Sequence, residues 1–530
     1  MNRVVECVPN FSEGRDRWII DTIVKSIAKV SGVTVLDVDP GEATNRTVVT
    51  FVGEPDAVLE GAFQGIATAA QLIDMTRHKG EHPRIGATDV CPFVPISGVT
   101  MEDCVELAHR LGKRVGEELG IPVYLYEYAA TRPERKSLSE IRKGEYESLP
   151  SRVGDPYWTP DYGPDTFNPR SGATVIGARD FLIAYNVNLN TRDKRIAQWI
   201  AERIREQGGP LRDRTGAILK DVEGNPIREP GKFPTIRAVG WYIDEYGRAQ
   251  VSINITNYKL APPHAVFDEC CRLGEEFGVR VTGSELVGLI PLEALLIAGR
   301  HYLKKQGRFS GVGEEELVQT AIISLGLNDV APFDPEQKII EYRIRKEGDL
   351  VGATVRAFVE KTASDLPAPG GGSVAALCGA LSAALTAMVA NLTYGKKDYL
   401  SYNEDMERVG TQAHQLKNAL MELVDRDTEA FQEVMKARSL PKATEEQKRE
   451  RQRAIDEAML KAAQVPLEVL RTSHQVMNLV EEIILKGNLN LTPDAGVANL
   501  NAWTATLGAM YNVLINLPGI TIPYDLPGIL

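Results

Sequence analysis

VTVLDVDPGEATNRTVVTFV, residues Val33–Val52, holds two extended runs around a turn. Val33–Asp39 and Arg46–Val52 read as strands, and the segment between them carries glycine and asparagine, which favour turns. Upstream, Val4–Pro9 reads as a strand and Arg17–Val30 as a helix with Ile20, Ile23, Val24 and Ile27 on one face. Downstream, Pro55–Ile73 is a helix, with Pro55 suited to the first turn and Val58, Ala62, Ile66 and Ile73 apolar. Another apolar run follows at Cys91–Ile96. The order is β-α-β-β-α-β, the split βαβ or ferredoxin-like arrangement. A helix at Met101–Leu119 and a strand at Pro122–Tyr126 extend it.

The order recurs. Phe181–Leu189 reads as a strand, Asp193–Gln207 as a helix, Ile236–Ile243 and Gln250–Thr256 as strands, Pro263–Phe277 as a helix, and Val279–Val281 opens a strand. Gly208–Phe233, rich in glycine, proline and charge, reads as a surface excursion. After a charged, proline-containing break at Gly326–Asp349 the chain becomes almost wholly helical, and Lys442–Gln464 reads as a solvated helix face. The fold class expected is α/β plus all-α: two tandem ferredoxin-like α/β sandwich subdomains, 1–180 and 181–330, a linker at 331–349, and a helical bundle at 350–530.

A chain of 530 residues is too long for one core. Its net charge of −12 argues against a general attraction to nucleic acid or an anionic membrane. The six cysteines form no C-x-x-C pair, which fits a reducing, cytoplasmic compartment, and the N-terminus has no signal-peptide core. Val374–Leu392 is uncharged and nearly long enough to span a bilayer, but its alanine, glycine, serine and threonine suit close packing inside a bundle.

RHKGEHPRIGATDVCPFVP, Arg77–Pro95, gathers two histidines, a lysine, two arginines, a glutamate and an aspartate in a loop broken by Gly80, Pro83 and Gly86. His78 and His82 are four apart, but Pro83 biases His82 away from the helical region and no third ligand is evident, so no metal site is expected. Two readings remain open: a histidine acid/base with Lys79 and Arg84 holding carboxylates, or a loop whose charges satisfy its own turns. Asp37, Asp39, Asn45 and Arg46 form a second polar group around a turn. In the helical part, Ala368–Ser373 (APGGGS) leads glycine-rich backbone into a helix, which makes either an anion cradle or a plain cap. Asp427 has Leu423, Val424, Ala430 and Phe431 at helical spacing, so its carboxylate lies on the apolar stripe, where burial raises a pKa or demands a partner.

VECVPNFSEG (Val5–Gly14), DVD-x-G-x-x-TNRTV (Asp37–Val48), Arg77–Phe93, GEYESLP (Gly144–Pro150), DYGPDTFNPRSGA (Asp161–Ala173), FLIAYNVNL (Phe181–Leu189) and GSELVGLIPLEALL (Gly283–Leu296) resemble the formiminotransferase domain of the formimidoyltransferase-cyclodeaminase family. APGGGSVAALCGAL, MVANLTYGKK, LVDRDTEAF, RSLPK, VPLEV and YNVLINL resemble its cyclodeaminase domain. The resemblance implies transfer of a formimino group from N-formimino-L-glutamate to tetrahydrofolate, then ring closure of 5-formiminotetrahydrofolate to 5,10-methenyltetrahydrofolate and ammonia. It maps the acid/base histidine to His82 and the catalytic aspartate to Asp427. It maps folate binding to Gly163, Pro164, Asp165, Thr166, Phe167, Asn168, Pro169, Arg170, Ser171 and Gly172. With it, Asp39, Arg46, Lys79 and Arg84, and Gly370, Gly371, Gly372 and Ser373, become the expected substrate-binding groups. The implied co-substrate is tetrahydrofolate, polyglutamylated or not; the implied assembly is a homo-oligomer. After Asn512–Leu517 the family continues into another long helix, which Pro518, Pro523 and Pro527 forbid here, so the bundle is expected without its last helix. The alternatives are a transferase with an impaired cyclodeaminase, a relative using a formyl donor, and a folate-binding scaffold without turnover.

Overall fold

The computed structural model describes residues 3–42, 44–80, 83–211, 217–244, 246–344 and 348–519. The chain divides into two compact units, residues 1–294 with 325–344, and residues 295–324 with 345–530.

The first unit begins with β1 (Val4–Cys7), β2 (Asn10–Phe11), α1 (Arg17–Ala28), β3 (Val33–Gly41), β4 (Arg46–Gly53), α2 (Pro55–Leu72) and β5 (Thr88–Ser97). The strand expected at Val4–Pro9 is broken after Cys7, and both pieces pair with β4 and β5. The order β3–β4–β1/β2–β5 is that of the split βαβ. Asp16 caps α1 through the Trp18 and Ile19 amides, and Thr100 with Asp103 forms a capping box on α3 (Met101–Leu119). The apolar faces of α1, α2 and α3 pack on Val5, Cys7, Phe51, Cys91 and Phe93.

Two further strands extend the sheet in parallel: β6 (Val123–Glu127), after α3, and β7 (Thr174–Ala178), which inserts between β5 and β6. The sequence reading did not foresee β7. Its five residues are all buried, and β5 acquires a second buried face, with Val90, Val175 and Tyr124 packing under Ile141 and Leu149. A strand covered on both faces shows an apolar run instead of alternation, which is weak evidence at five residues.

The second α/β layer comprises β8 (Ile183–Leu189), α4 (Lys194–Ile204), β9 (Ile236–Ile243), β10 (Arg248–Ile255), α5 (Pro263–Glu276) and β11 (Val281–Val287). Its antiparallel order β9–β10–β8–β11 repeats that of the first. Residues 335–344, expected in a linker, form two short helices in the same unit, with Ile339 and Ile340 fully buried.

Residues 295–324, read from the sequence as part of the second α/β subdomain, cluster with the helical unit. They carry most of α6 (Leu292–Lys305) and α7 (Glu314–Leu325), and Leu303, Phe309 and Leu317 join Val389, Met406, Val409 and Ile483 in one core. Their apolar side chains are completed by the long helices α8 (Gly371–Thr393), α9 (Asn403–Arg438), α10 (Glu445–Lys486) and α11 (Thr492–Asn516). By length and composition α8 could cross a membrane, yet it packs against α9, α10 and α11 through Ala375, Ala376, Gly379, Ala380 and Ala383. Small residues let these helix axes approach closely. The expectation about the last bundle helix falls on residues 520–530, outside the described residues.

Candidate functional site

The first unit holds a cavity of about 1160 Å³. Arg46, Lys136, Arg142, Lys143, Arg179 and Arg237 line it, against three carboxylates, Glu127, Glu145 and Asp180. Six cations against three anions make this wall basic within an acidic chain. These cations come from β4, from the segment between β6 and β7, from the residue after β7, and from β9. Asp89 is fully buried, accepts the Ile85 amide at 3.0 Å and grips the Arg142 guanidinium, which sets that cation in the wall. Burial pushes the Glu127 carboxyl upward, opposed by Arg237 and Arg179.

Asn45, in the left-handed region at φ 48°, ties three of the sequence motifs together. Its Oδ1 accepts from the Gly14 amide at 3.0 Å, its Nδ2 donates to the Lys79 carbonyl at 3.0 Å, and its own carbonyl lies 2.8 Å from His78 Nε2. A carbonyl only accepts, so Nε2 carries the His78 proton, and Nδ1 accepts from Arg84 Nε at 3.2 Å. Burial and Arg84 hold the His78 pKa below its ordinary value. His78 is thus a neutral anchor. A Cβ at Gly80 would sit 2.1 Å from the Thr44 carbonyl oxygen, so this approach requires glycine.

Of the expected site residues here, His82 lies outside the described residues. Its chain neighbour Pro83 lines the cavity, as does Arg46. Arg84, expected to hold a substrate carboxylate, is instead engaged by the protein. It is 7% exposed, and its guanidinium meets Glu145 at 2.7 Å and both oxygens of Glu147 at 2.8 and 2.9 Å. Lys79 and Asp39 are exposed and do not line the cavity. The stretch Gly163–Gly172 lines none of it either. Pro164, Asp165, Thr166, Phe167, Asn168 and Gly172 border a separate hollow of about 20 Å³. The stretch is stitched to the segment that follows His82: the Ala87 amide donates to the Ser171 carbonyl at 2.8 Å, and Gly86 bridges Gly172. Tyr146 Oη donates to the Pro169 carbonyl at 2.6 Å, and the Met75 amide to the Arg170 carbonyl at 3.0 Å.

In the helical unit the sequence-predicted groups meet. Gly370 is the N-cap of α8, and Gly371, Gly372 and Ser373 form its first turn. Asp427 of α9 accepts from Ser373 Oγ at 3.0 Å and from the Ser373 amide. A Cβ at Gly372 would lie 2.1 Å from Asp427 Oδ1, so only glycine admits the carboxylate. The donors that could cradle a substrate anion therefore face the protein's own anion, at the positive end of the helix dipole. Burial raises the Asp427 pKa and the two Ser373 hydrogen bonds lower it, leaving it above the ordinary carboxylate value. Gly370 and Gly371 open on free space and on Asn512 of α11. Asp425, two residues away, accepts the Leu350 and Val351 amides at 2.8 and 3.1 Å and serves as a loop cap. Among the described residues no group of three or more His, Cys, Asp or Glu gathers as a metal site.

The sequence reading missed Asp89, Arg142, Arg179, Arg237 and Glu145. Asp89 and Glu145 sit inside quoted motifs; the three arginines carry no local signal, because their meaning lies in convergence from distant segments.

Known proteins resemble the chain along almost its whole length. The family profile described as "Formiminotransferase domain, N-terminal subdomain" matches residues 4–179, "Formiminotransferase domain" matches 184–345, and "Formiminotransferase-cyclodeaminase" matches 354–522. Formimidoyltransferase-cyclodeaminase of Sus scrofa is 44% identical over 525 residues, covering 98% of this chain and 94% of that protein. Glutamate formimidoyltransferase of Thermoplasma acidophilum is 44% identical over 306 residues, 57% of this chain and 93% of that one. A solved structure, formiminotetrahydrofolate cyclodeaminase of Thermotoga maritima, is 32% identical, covers 32% of this chain and 81% of its own, and has a TM-score of 0.29.

Proposed function

The chain belongs to the formimidoyltransferase-cyclodeaminase family, and from that premise we propose that it is a bifunctional folate enzyme. It transfers the formimino group from N-formimino-L-glutamate to tetrahydrofolate. It then cyclodeaminates 5-formiminotetrahydrofolate to 5,10-methenyltetrahydrofolate and ammonia. The observation that carries the transferase reading is the cavity wall of six cations against three carboxylates, bordered by Pro83. Both substrates of that step bear carboxylates, and guanidinium groups suit them.

His82 is the acid/base of the first step. It takes the proton that the folate N5 loses on attacking the formimino carbon and returns it to the departing glutamate nitrogen. Arg46 and the Asp89-held Arg142 answer substrate carboxylates. The stretch Gly163–Gly172 receives the folate beside the segment that follows His82. Asp427 is the acid of the second step. N10 closes on the formimino carbon, and a carboxyl whose pKa burial raises supplies the proton with which ammonia leaves. The floor of this second site is Gly370–Ser373: bare backbone at Gly370 and Gly371 leaves room for the pterin, and Gly372 and Ser373 hold Asp427 beside it. No metal takes part.

The activities divide along the chain as a transferase in 1–330 and a cyclodeaminase in 350–530. The enzyme works in histidine degradation and one-carbon metabolism in the cytoplasm, engaging neither nucleic acid nor membrane. It assembles as a homo-oligomer. The exposed Leu381 and Leu392 on α8, and Leu500, Tyr511 and Leu514 on α11, are the apolar surface that a second copy would cover.

The test is a coupled assay of the full chain with formiminoglutamate and tetrahydrofolate. Glutamate, 5,10-methenyltetrahydrofolate by its near-ultraviolet absorbance, and ammonia are followed separately. All three should appear. Folate binding with no glutamate release would overturn the transferase, and glutamate without methenylfolate or ammonia would overturn the cyclodeaminase.

A further inference from the structure

N-Formimino-L-glutamate is not only an anion. An amidine is a stronger base than an amine, so at neutral pH its formimino end is a cation between two carboxylates. A site that takes the formimino donor needs a carboxylate where the reacting carbon lies. The cavity wall offers three. Asp180 is occupied, its Oδ2 accepting from Tyr128 Oη and Asn257 Nδ2, both at 2.9 Å. Glu127 faces Arg179 and Arg237. Glu145 differs from both.

Its only ion pair among the described residues is with Arg84, at 2.7 Å. That guanidinium is already matched by Glu147 through both of its oxygens. With His78 neutral, the cluster of Arg84, Glu145 and Glu147 carries one negative charge in excess. Glu147 does not line the cavity; Glu145 does, with 41% of its side chain exposed. The backbone of Glu145 sits at φ 54°, ψ −161°, a region almost reserved for glycine. Strain of this kind persists where the surroundings over-determine it, and it concentrates at ligand sites. The three described non-glycine residues with left-handed φ are Asn45, Glu127 and Glu145. Two line the cavity, and the third precedes Arg46, which does. The Tyr146 amide donates to the Arg84 carbonyl at 2.9 Å, which holds Glu145 against the segment two residues beyond His82.

We infer that Glu145 is the receptor for the formamidinium end of the donor, and that it sets the preference for a formimino over a formyl donor. This rests on the transferase reading above. A formyl group has the same size and no charge, so it gains nothing from the carboxylate and leaves its negative charge uncompensated.

The experiment uses the full chain and two variants, Glu145→Gln and Glu147→Gln. Circular dichroism checks folding. Binding of N-formimino-L-glutamate and N-formyl-L-glutamate is measured by calorimetry, and KM and kcat for the formimino donor by glutamate release. Glu145→Gln should weaken the formimino ligand roughly tenfold to hundredfold, the usual range for losing one charge-assisted contact, and leave the formyl ligand within about twofold. Glu147→Gln, which also removes a partner of Arg84, should leave the ratio of the two affinities unchanged. An unchanged ratio in Glu145→Gln, or an equal shift in both variants, would overturn the inference, the second by tracing the effect to Arg84. Wild-type protein that binds both ligands but releases no glutamate would overturn the transferase reading, and this inference with it.

Discussion

Replacing Glu6 with glutamine should flatten the pH dependence of the first unit's stability. Glu6 lies on β1, opposite Val52 and Val94, between the core residues Val5 and Cys7. Alternation along the strand turns it to the other face of the sheet, the face that carries the cavity. It is fully buried. Burial pushes its pKa up from 4.5 to about 7, Arg179 opposes the shift, and Glu341 adds to it. Between these two values the folded chain holds a proton that the unfolded chain has released. The contribution of Glu6 is therefore greatest below 4.5, falls as pH rises toward about 7, and is constant above that. A rise of about 2.5 units at about 1.36 kcal/mol each amounts to about 3 kcal/mol. Urea unfolding of both proteins at about pH 5 and pH 8, followed by tryptophan fluorescence, reads this directly. Trp18, Trp158, Trp199 and Trp241 lie in the first unit and only Trp503 in the second. About 2 units of that window lie between pH 5 and pH 8, so wild type should lose about 2.5 kcal/mol more than Glu6→Gln over the interval. Any fixed cost of burying the amide cancels in the double difference. Equal pH dependence in the two proteins would refute the reasoning.

Arg179→Gln removes the charge that restrains Glu6, so the same unfolding assay should show its stability loss extending to higher pH; no extension would mean that the two groups are uncoupled. His82→Ala should abolish glutamate release while ammonia still forms from supplied 5-formiminotetrahydrofolate, and retained transfer would exclude His82 as the acid/base. Asp427→Asn keeps an acceptor for Ser373 but cannot give a proton, so ammonia release should fall roughly 10²- to 10⁴-fold with transfer intact. Ser373→Ala removes a hydrogen bond that favours the ionised carboxylate, so the Asp427 pKa should rise and the alkaline limb of the deamination profile should move to higher pH; an unmoved or lowered limb would count against Asp427 as the acid.

Much of this protein is set by local pattern. Apolar periodicity alone marks both β-α-β-β-α-β runs, because a helix or strand buries one face whatever covers it. The same logic places Asp427 on a buried stripe, and a glycine-rich start to an apolar helix marks Gly370–Ser373. Their meeting was not legible. That the Ser373 donors face Asp427, while Asp425 caps a loop two residues away, depends on how α8 and α9 are set against each other. Nor does composition reveal β7, whose burial on both faces erases the alternation that would identify it. The cavity is the clearest case. Arg46, Arg142, Arg179 and Arg237 look like ordinary surface charges along the chain, and only the folded sheets bring them to one wall. Arg84, the most inviting anion-binding residue of its loop, is taken by Glu145 and Glu147, more than sixty positions on. Charge works through space, with no periodicity to betray its partner. Local sequence therefore determines which elements form and which faces they bury, and tertiary packing decides which charges are spent on each other and which remain for a ligand.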